Sequence, residues 1–86
     1  MSLVIQNEIT TTLLTDPFGV PLIEDMEEPH CGSILMVGGW YGTAWQRMFA
    51  DGQWHPSRGG TPRKFKQLLK RRNVILIYEA KERVDG

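Results

Sequence analysis

Eight of the ten basic residues in this chain lie between Arg47 and Arg72, and the only acid among them is Asp51, so that stretch carries +7. No Lys or Arg precedes it, whereas six of the ten acids (Glu8, Asp16, Glu24, Asp25, Glu27 and Glu28) do. The formal total of zero conceals a chain sorted by charge. Cations at this density are the chemistry that holds phosphate or carboxylate groups. Arg58, Arg63, Lys64, Lys66, Lys70 and Arg71 are therefore the candidates for an anionic partner. Glu24, Asp25, Glu27 and Glu28 are the candidates for a cationic one, or for the protein's own basic half.

Other chemistries find less support. His30, Cys31 and His55 are the soft metal ligands, but zinc sites pair their ligands two to four residues apart on both sides of a loop, and adjacent His30-Cys31 with one distant His does not. Cys31 has no Gly-rich elbow or orienting acid to make it a nucleophile. Gly59-Gly60 before a helix lacks the spacing of either phosphate-binding fingerprint, as does Gly38-Gly39. The carboxylates of 24–28 lack the alternation of a calcium loop. The expectation is no catalytic residue, no metal and no cofactor.

The elements that must present the cations are legible in part. Ile9 to Leu14 fits a strand, Asp16-Pro17-Phe18-Gly19 a turn, and Val20 to Ile23 a second short strand. Ile34 to Val37 and Thr43 to Ala50 are strands around a Gly38-Gly39 turn. Asp51-Gly52 suits a two-residue type I′ turn, which sets Phe49 opposite Trp54 and returns along Gln53 to Ser57. Pro56 has no amide donor and places that strand at an edge. Trp45, Phe49 and Trp54 then share one face, which is the core face.

Thr61 as N-cap and Pro62 at the first position open a helix over 61–72, with Phe65, Leu68 and Leu69 as its apolar stripe and Asn73 as its left-handed end. Arg63 and Lys64 in the first turn, near Arg58, would gather cations and free amides at one point. Val74 to Tyr78 is a nearly continuous apolar run and reads as a central strand. The core is expected from Trp45, Phe49, Trp54, Phe65, Leu68, Leu69, Ile75 and Ile77.

This length supports one domain over 1–86: an acidic N-terminal arm with short strands (1–31), a hairpin, helix and strand core (32–80) and a frayed tail (81–86). Its class is α+β, a small twisted, mainly antiparallel sheet with one basic amphipathic helix packed on it. No apolar run approaches the roughly 20 residues of a membrane span, and the start does not read as a signal peptide, so no membrane partner and a cytoplasmic location are expected.

Gly32-Ser33, Gly42 to Arg47, Asp51 to His55, Leu68-Leu69 and Val74 to Ala80 together resemble the shared pattern of small proteins of actinobacterial phages and related prophages. The resemblance covers a little more than half the chain. It implies a fold and a genomic context, and with them the host cell cytoplasm, but no activity.

Two functions follow as expectations. The first is a non-enzymatic, phage-type accessory protein that binds a host or phage protein, or a second copy of itself, through its segregated acidic and basic surfaces. The second is binding of a nucleic-acid backbone along the basic helix. The zero net charge and a pI near 6.7 favour the first.

Overall fold

A computed structural model describes residues 2–23 and 26–85. Five strands form one antiparallel sheet: β1 (Ser2–Leu13), β2 (Ile34–Val37), β3 (Thr43–Arg47), β4 (Trp54–Pro56) and β5 (Ile75–Asp85), in the order β1-β5-β2-β3-β4. A single helical turn, α1 (Phe65–Leu68), lies between β4 and β5 in sequence. The molecule is thus mostly β with little helix, broadly compatible with the α+β class. Among the described residues no helix is long and apolar enough to cross a membrane.

The apolar run at Ile34 to Val37 forms β2 as expected, and the final strand is central, pairing with β1 on one side and β2 on the other. The tail expected to fray over 81–86 is strand as far as Asp85. There β5 runs against residues 2–8 of β1, because a partner strand satisfies the backbone groups that a solitary charged tail would leave to water. Val20 to Ile23 makes no second strand; only a Thr15–Pro21 bridge closes the Asp16–Gly19 turn.

The β3–β4 hairpin departs from the sequence reading in register. Arg47, not Phe49, faces Trp54. A type I′ turn needs positive φ at both central residues, yet only Gly52 has it (68°) while Asp51 does not. A longer loop closes instead through Gly52 N–H to the Met48 carbonyl and Met48 N–H to the Gln53 carbonyl, both 2.9 Å. The Arg47 Nε donates to the Gly52 carbonyl at 3.0 Å and fastens it. A shift of two residues keeps side-chain parity, so Trp45 and Trp54 still share a face, but Phe49 leaves the ladder and is 74% exposed.

Leu14, Leu35, Trp54, Phe65, Leu68, Val74 and Leu76 form the core, with Met26, Val37, Trp45 and Leu69 packed against it. Fully buried Trp54 stacks on Phe65, ring centres 5.9 Å apart, which ties α1 to the sheet edge. On β5 the expected facing is reversed: Val74 and Leu76 enter this core. Ile75 is buried on the opposite face beside Leu13 and Met36, and Ile77 is half-buried where the β2–β5 register shifts. Buried Ser33 accommodates that shift by accepting the Ala80 N–H on its Oγ at 2.9 Å.

Trp54→Ala should cost about 3 to 5 kcal/mol in chemical denaturation, against within about 0.5 kcal/mol for Phe49→Ala. Equal effects of the two would show that the register is that of the two-residue turn.

Candidate functional site

The expected helix over 61–72 is not present, and the backbone explains why. Arg63 is extended and exchanges both its N–H and C=O with Trp54, each at 2.9 Å, so helix cannot begin before Lys64. Pro62 is therefore not the first helical residue, and Thr61 is not the cap. Gln67 Oε1 accepts the Lys64 N–H at 2.9 Å and starts the single turn. Beyond Leu69 the remaining carbonyls are claimed by tertiary donors. The Thr15 hydroxyl donates to Arg71 at 2.8 Å, the Gly38 N–H to Arg72 at 3.2 Å and the Gly39 N–H to Asn73 at 2.9 Å. Asn73 does adopt the expected left-handed conformation, φ 53°, but ends this turn rather than a helix.

The convergence of cations on a helix start dissolves with the helix. Arg58, Arg63, Lys64, Lys66, Lys70, Arg71 and Arg72 are all exposed, and none of them makes an ion pair among the described residues. They divide between two clefts and a loop. Lys64 and Lys66 border a groove of about 1080 Å³ with an apolar floor of Leu22, Ile23, Met26, Phe65 and Leu69 and with Glu28 and Asp51 also in its wall. Lys70, Arg71 and Arg72 line a second cleft of about 510 Å³ with Phe18, Val37, Thr43 and Trp45, and no acid among the described residues lines it. Arg58, in the 57–60 loop, and Arg63, on the extended backbone bridged to Trp54, line neither cleft.

The acidic candidates have other employment. Glu24 and Asp25 lie outside the described residues. Glu28 accepts the Trp54 indole N–H at 2.9 Å and pairs with Arg47 at 3.4 Å, so it anchors the 26–31 segment to the core. Arg47 also donates to the Pro29 carbonyl at 2.6 Å and is structural. Glu27, Glu28 and Glu79 share a further cleft with His30. Charge sorted in sequence is thus only partly sorted in space, since Glu28 and Asp51 share the first groove with Lys64 and Lys66. His55 bonds Asp51 at 2.8 Å, and Cys31 is a half-buried free thiol. Among the described residues no His, Cys, Asp and Glu cluster could hold a metal.

The Gln53 N–H, and then the His55 ring, hold the Asp51 carboxyl below its ordinary value. A lowered acid stabilises the fold above the ordinary carboxylate range, and that contribution is lost as the pH falls through the lowered value. The Asp51 carboxylate lies at the surface, where solvent screens it, so this steadies the hairpin loop without governing acid stability.

Sequence reasoning passed over Phe18, Trp40, Tyr41 and Arg72. Phe18 is 89%, Tyr41 99% and Trp40 59% exposed. The signal was available: each aromatic sits inside a turn motif, Pro17-Phe18-Gly19 or Gly39-Trp40-Tyr41-Gly42, where a side chain cannot join a strand's inward face. No protein-family model matches the chain, and no curated protein or solved structure matches it either.

Thr15 holds the second cleft together, because its buried Oγ1 both donates to Arg71 and accepts the Val74 N–H at 2.9 Å. Thr15→Val preserves shape and strands both partners, so it should cost about 1 to 3 kcal/mol. Hydrogen exchange should speed up first at the amides of 71–74. Unchanged protection there would mean that Thr15 does not set the turn.

Proposed function

We propose that this is a non-enzymatic binding domain whose basic segment, residues 58–72, holds the phosphate backbone of nucleic acid. The observation that carries the reading is the set of seven exposed cations with no ion pair among the described residues. Glu28 and Asp51, the described acids that share a groove with Lys64 and Lys66, are engaged with Arg47, Trp54 and His55. Neutral total charge argues weakly against it, because a partner senses charge within a Debye length of about 8 Å. Lys70, Arg71 and Arg72 line a cleft to which no described acid contributes, so the local charge there differs from the total.

Non-specific backbone contact has a measurable signature in salt. Each phosphate contact adds about 0.7 to 0.9 units to the fall of log affinity with log salt. Replacing Arg63, Lys66 and Lys70 with Gln should flatten that slope by about two units with little loss of stability, since all three side chains are exposed. Fluorescence anisotropy with labelled DNA and RNA near physiological salt tests the proposal. Absence of binding at about 100 µM protein would be weaker than ordinary non-specific association and would overturn it.

The groove between residues 21–28 and α1 favours a second reading, a protein partner or a second copy, as a small phage-type accessory protein would require. An apolar floor bordered by both signs of charge is the anatomy of a protein interface. On this reading Leu22→Asp with Ile23→Asp, both at exposed positions, should abolish nuclease-resistant capture of partner proteins while leaving the melting temperature unchanged. Identical captured proteins with and without the substitutions would remove it. A monomer in sedimentation at every concentration and salt would remove the self-associating form.

A further inference from the structure

We infer that the ligand of the cleft formed by Phe18, Trp45, Lys70, Arg71 and Arg72 is single-stranded nucleic acid, with bases stacked on the aromatic rings and phosphates on the three cations. This rests on the backbone-binding reading above and adds what that reading lacks, a reason to distinguish strands from duplexes.

Three turns meet at this end of the sheet. Asn73 N–H donates to the Asp16 carbonyl at 3.0 Å, and Gly38 and Gly39 bond residues 72 and 73, so the 16–19 turn and the β2–β3 hairpin tip both lock onto the basic turn. Gly19 makes the first junction feasible. Its φ is 81°, and a Cβ there would lie 2.8 Å from the Lys70 carbonyl oxygen. Backbone is therefore packed on backbone, and the side chains are left to project. Phe18 stands out from one turn and lines the cleft with half-buried Trp45 and the cations, while exposed Trp40 and Tyr41 stand out from the neighbouring hairpin tip.

The electrostatics are of one sign. Among the described residues no acid lines the cleft, and Asp16, the acid closest to it in sequence, spends one carboxylate oxygen on the Phe18 and Val20 N–H groups at 2.8 and 2.9 Å. Large exposed aromatics beside cations that make no ion pair among the described residues suit a ligand with both planar apolar faces and a regular negative charge. A duplex offers the charge but hides the base faces within its stack. A single strand offers both, and every base has a face to stack. Arg71 and Arg72 can also lie flat on a base.

The test measures binding of the full-length protein to a labelled oligothymidine, to its duplex with oligoadenine, to inorganic polyphosphate and to polyglutamate at one salt concentration. Wild-type protein is compared with Phe18→Ala/Tyr41→Ala, whose nearly fully exposed positions should leave the melting curve unchanged. The single strand should bind about tenfold or more tighter than the duplex and should quench tryptophan fluorescence. The double substitution should lose about tenfold or more on the single strand, leaving duplex and polyphosphate affinity and the salt slope unaltered. Equal affinity for strand and duplex, unaffected by the substitution, would overturn the stacking site and leave backbone binding intact. Failure to bind any of the nucleic acids or polyphosphate would overturn both, and binding of polyglutamate alone would assign the cleft to an acidic protein.

Discussion

One buried hydroxyl organises the end of this molecule that bears the charge. Thr15, wholly inaccessible to solvent, donates to the Arg71 carbonyl and accepts the Val74 amide, bridging residues 56 and 59 positions away in sequence. A polar group in that location is tolerated only because both its donor and its acceptor capacity are used. The Leu14 N–H to the Val74 carbonyl at 2.7 Å and the Asn73 N–H to the Asp16 carbonyl extend the same junction. It fixes where β5 begins, which turns the preceding residues outward, and it explains why the cations of 70–72 sit on a turn rather than a helix.

Charge then follows from geometry. A helix over 61–72 would have distributed its cations around a cylinder, with like charges four residues apart repelling one another. The chain instead spends its backbone groups on Trp54, Thr15, Gly38 and Gly39, and the basic side chains fan out from a loop, one helical turn and a second turn. Core demands are met elsewhere. Trp54, Phe65 and Leu68 secure α1, while Glu28 and Arg47 fasten the acidic segment to the hairpin, so the fold neutralises an internal cation and leaves the outer ones available.

Local signals in the sequence were reliable where a few neighbouring residues decide the conformation. The Asp16–Gly19 turn, β2, the edge position of the strand containing Pro56 and the left-handed Asn73 all follow from side-chain shape and backbone chemistry. What failed depended on distant partners. Residues Thr61 to Asn73 have helical periodicity, but Trp54 and Thr15 claim their backbone, and no short-range pattern records those bonds. Asp51-Gly52 is a sound hairpin signal, yet a two-residue shift that places Arg47 opposite Trp54 keeps the same facing and cannot be told from the pattern. The facing of β5 was read the wrong way round, with Ile75 and Ile77 inward, because a run from Val74 to Tyr78 is apolar on both sides. At the candidate site the cations were plain and the aromatics were not, since Trp and Phe in a small chain are first assigned to the core.

The central claim is that the 16–19, 38–42 and 70–73 turns form one surface for an anionic strand. Mapping amide and tryptophan indole shifts by heteronuclear NMR during titration with a short single-stranded oligonucleotide tests it most directly. Shifts should gather at Phe18, Trp40, Tyr41, Trp45 and residues 70–72, with little change in Trp54, whose indole N–H is held by Glu28. Shifts gathered instead along Leu22, Met26, Phe65 and Leu69, or none at saturating oligonucleotide, would contradict it.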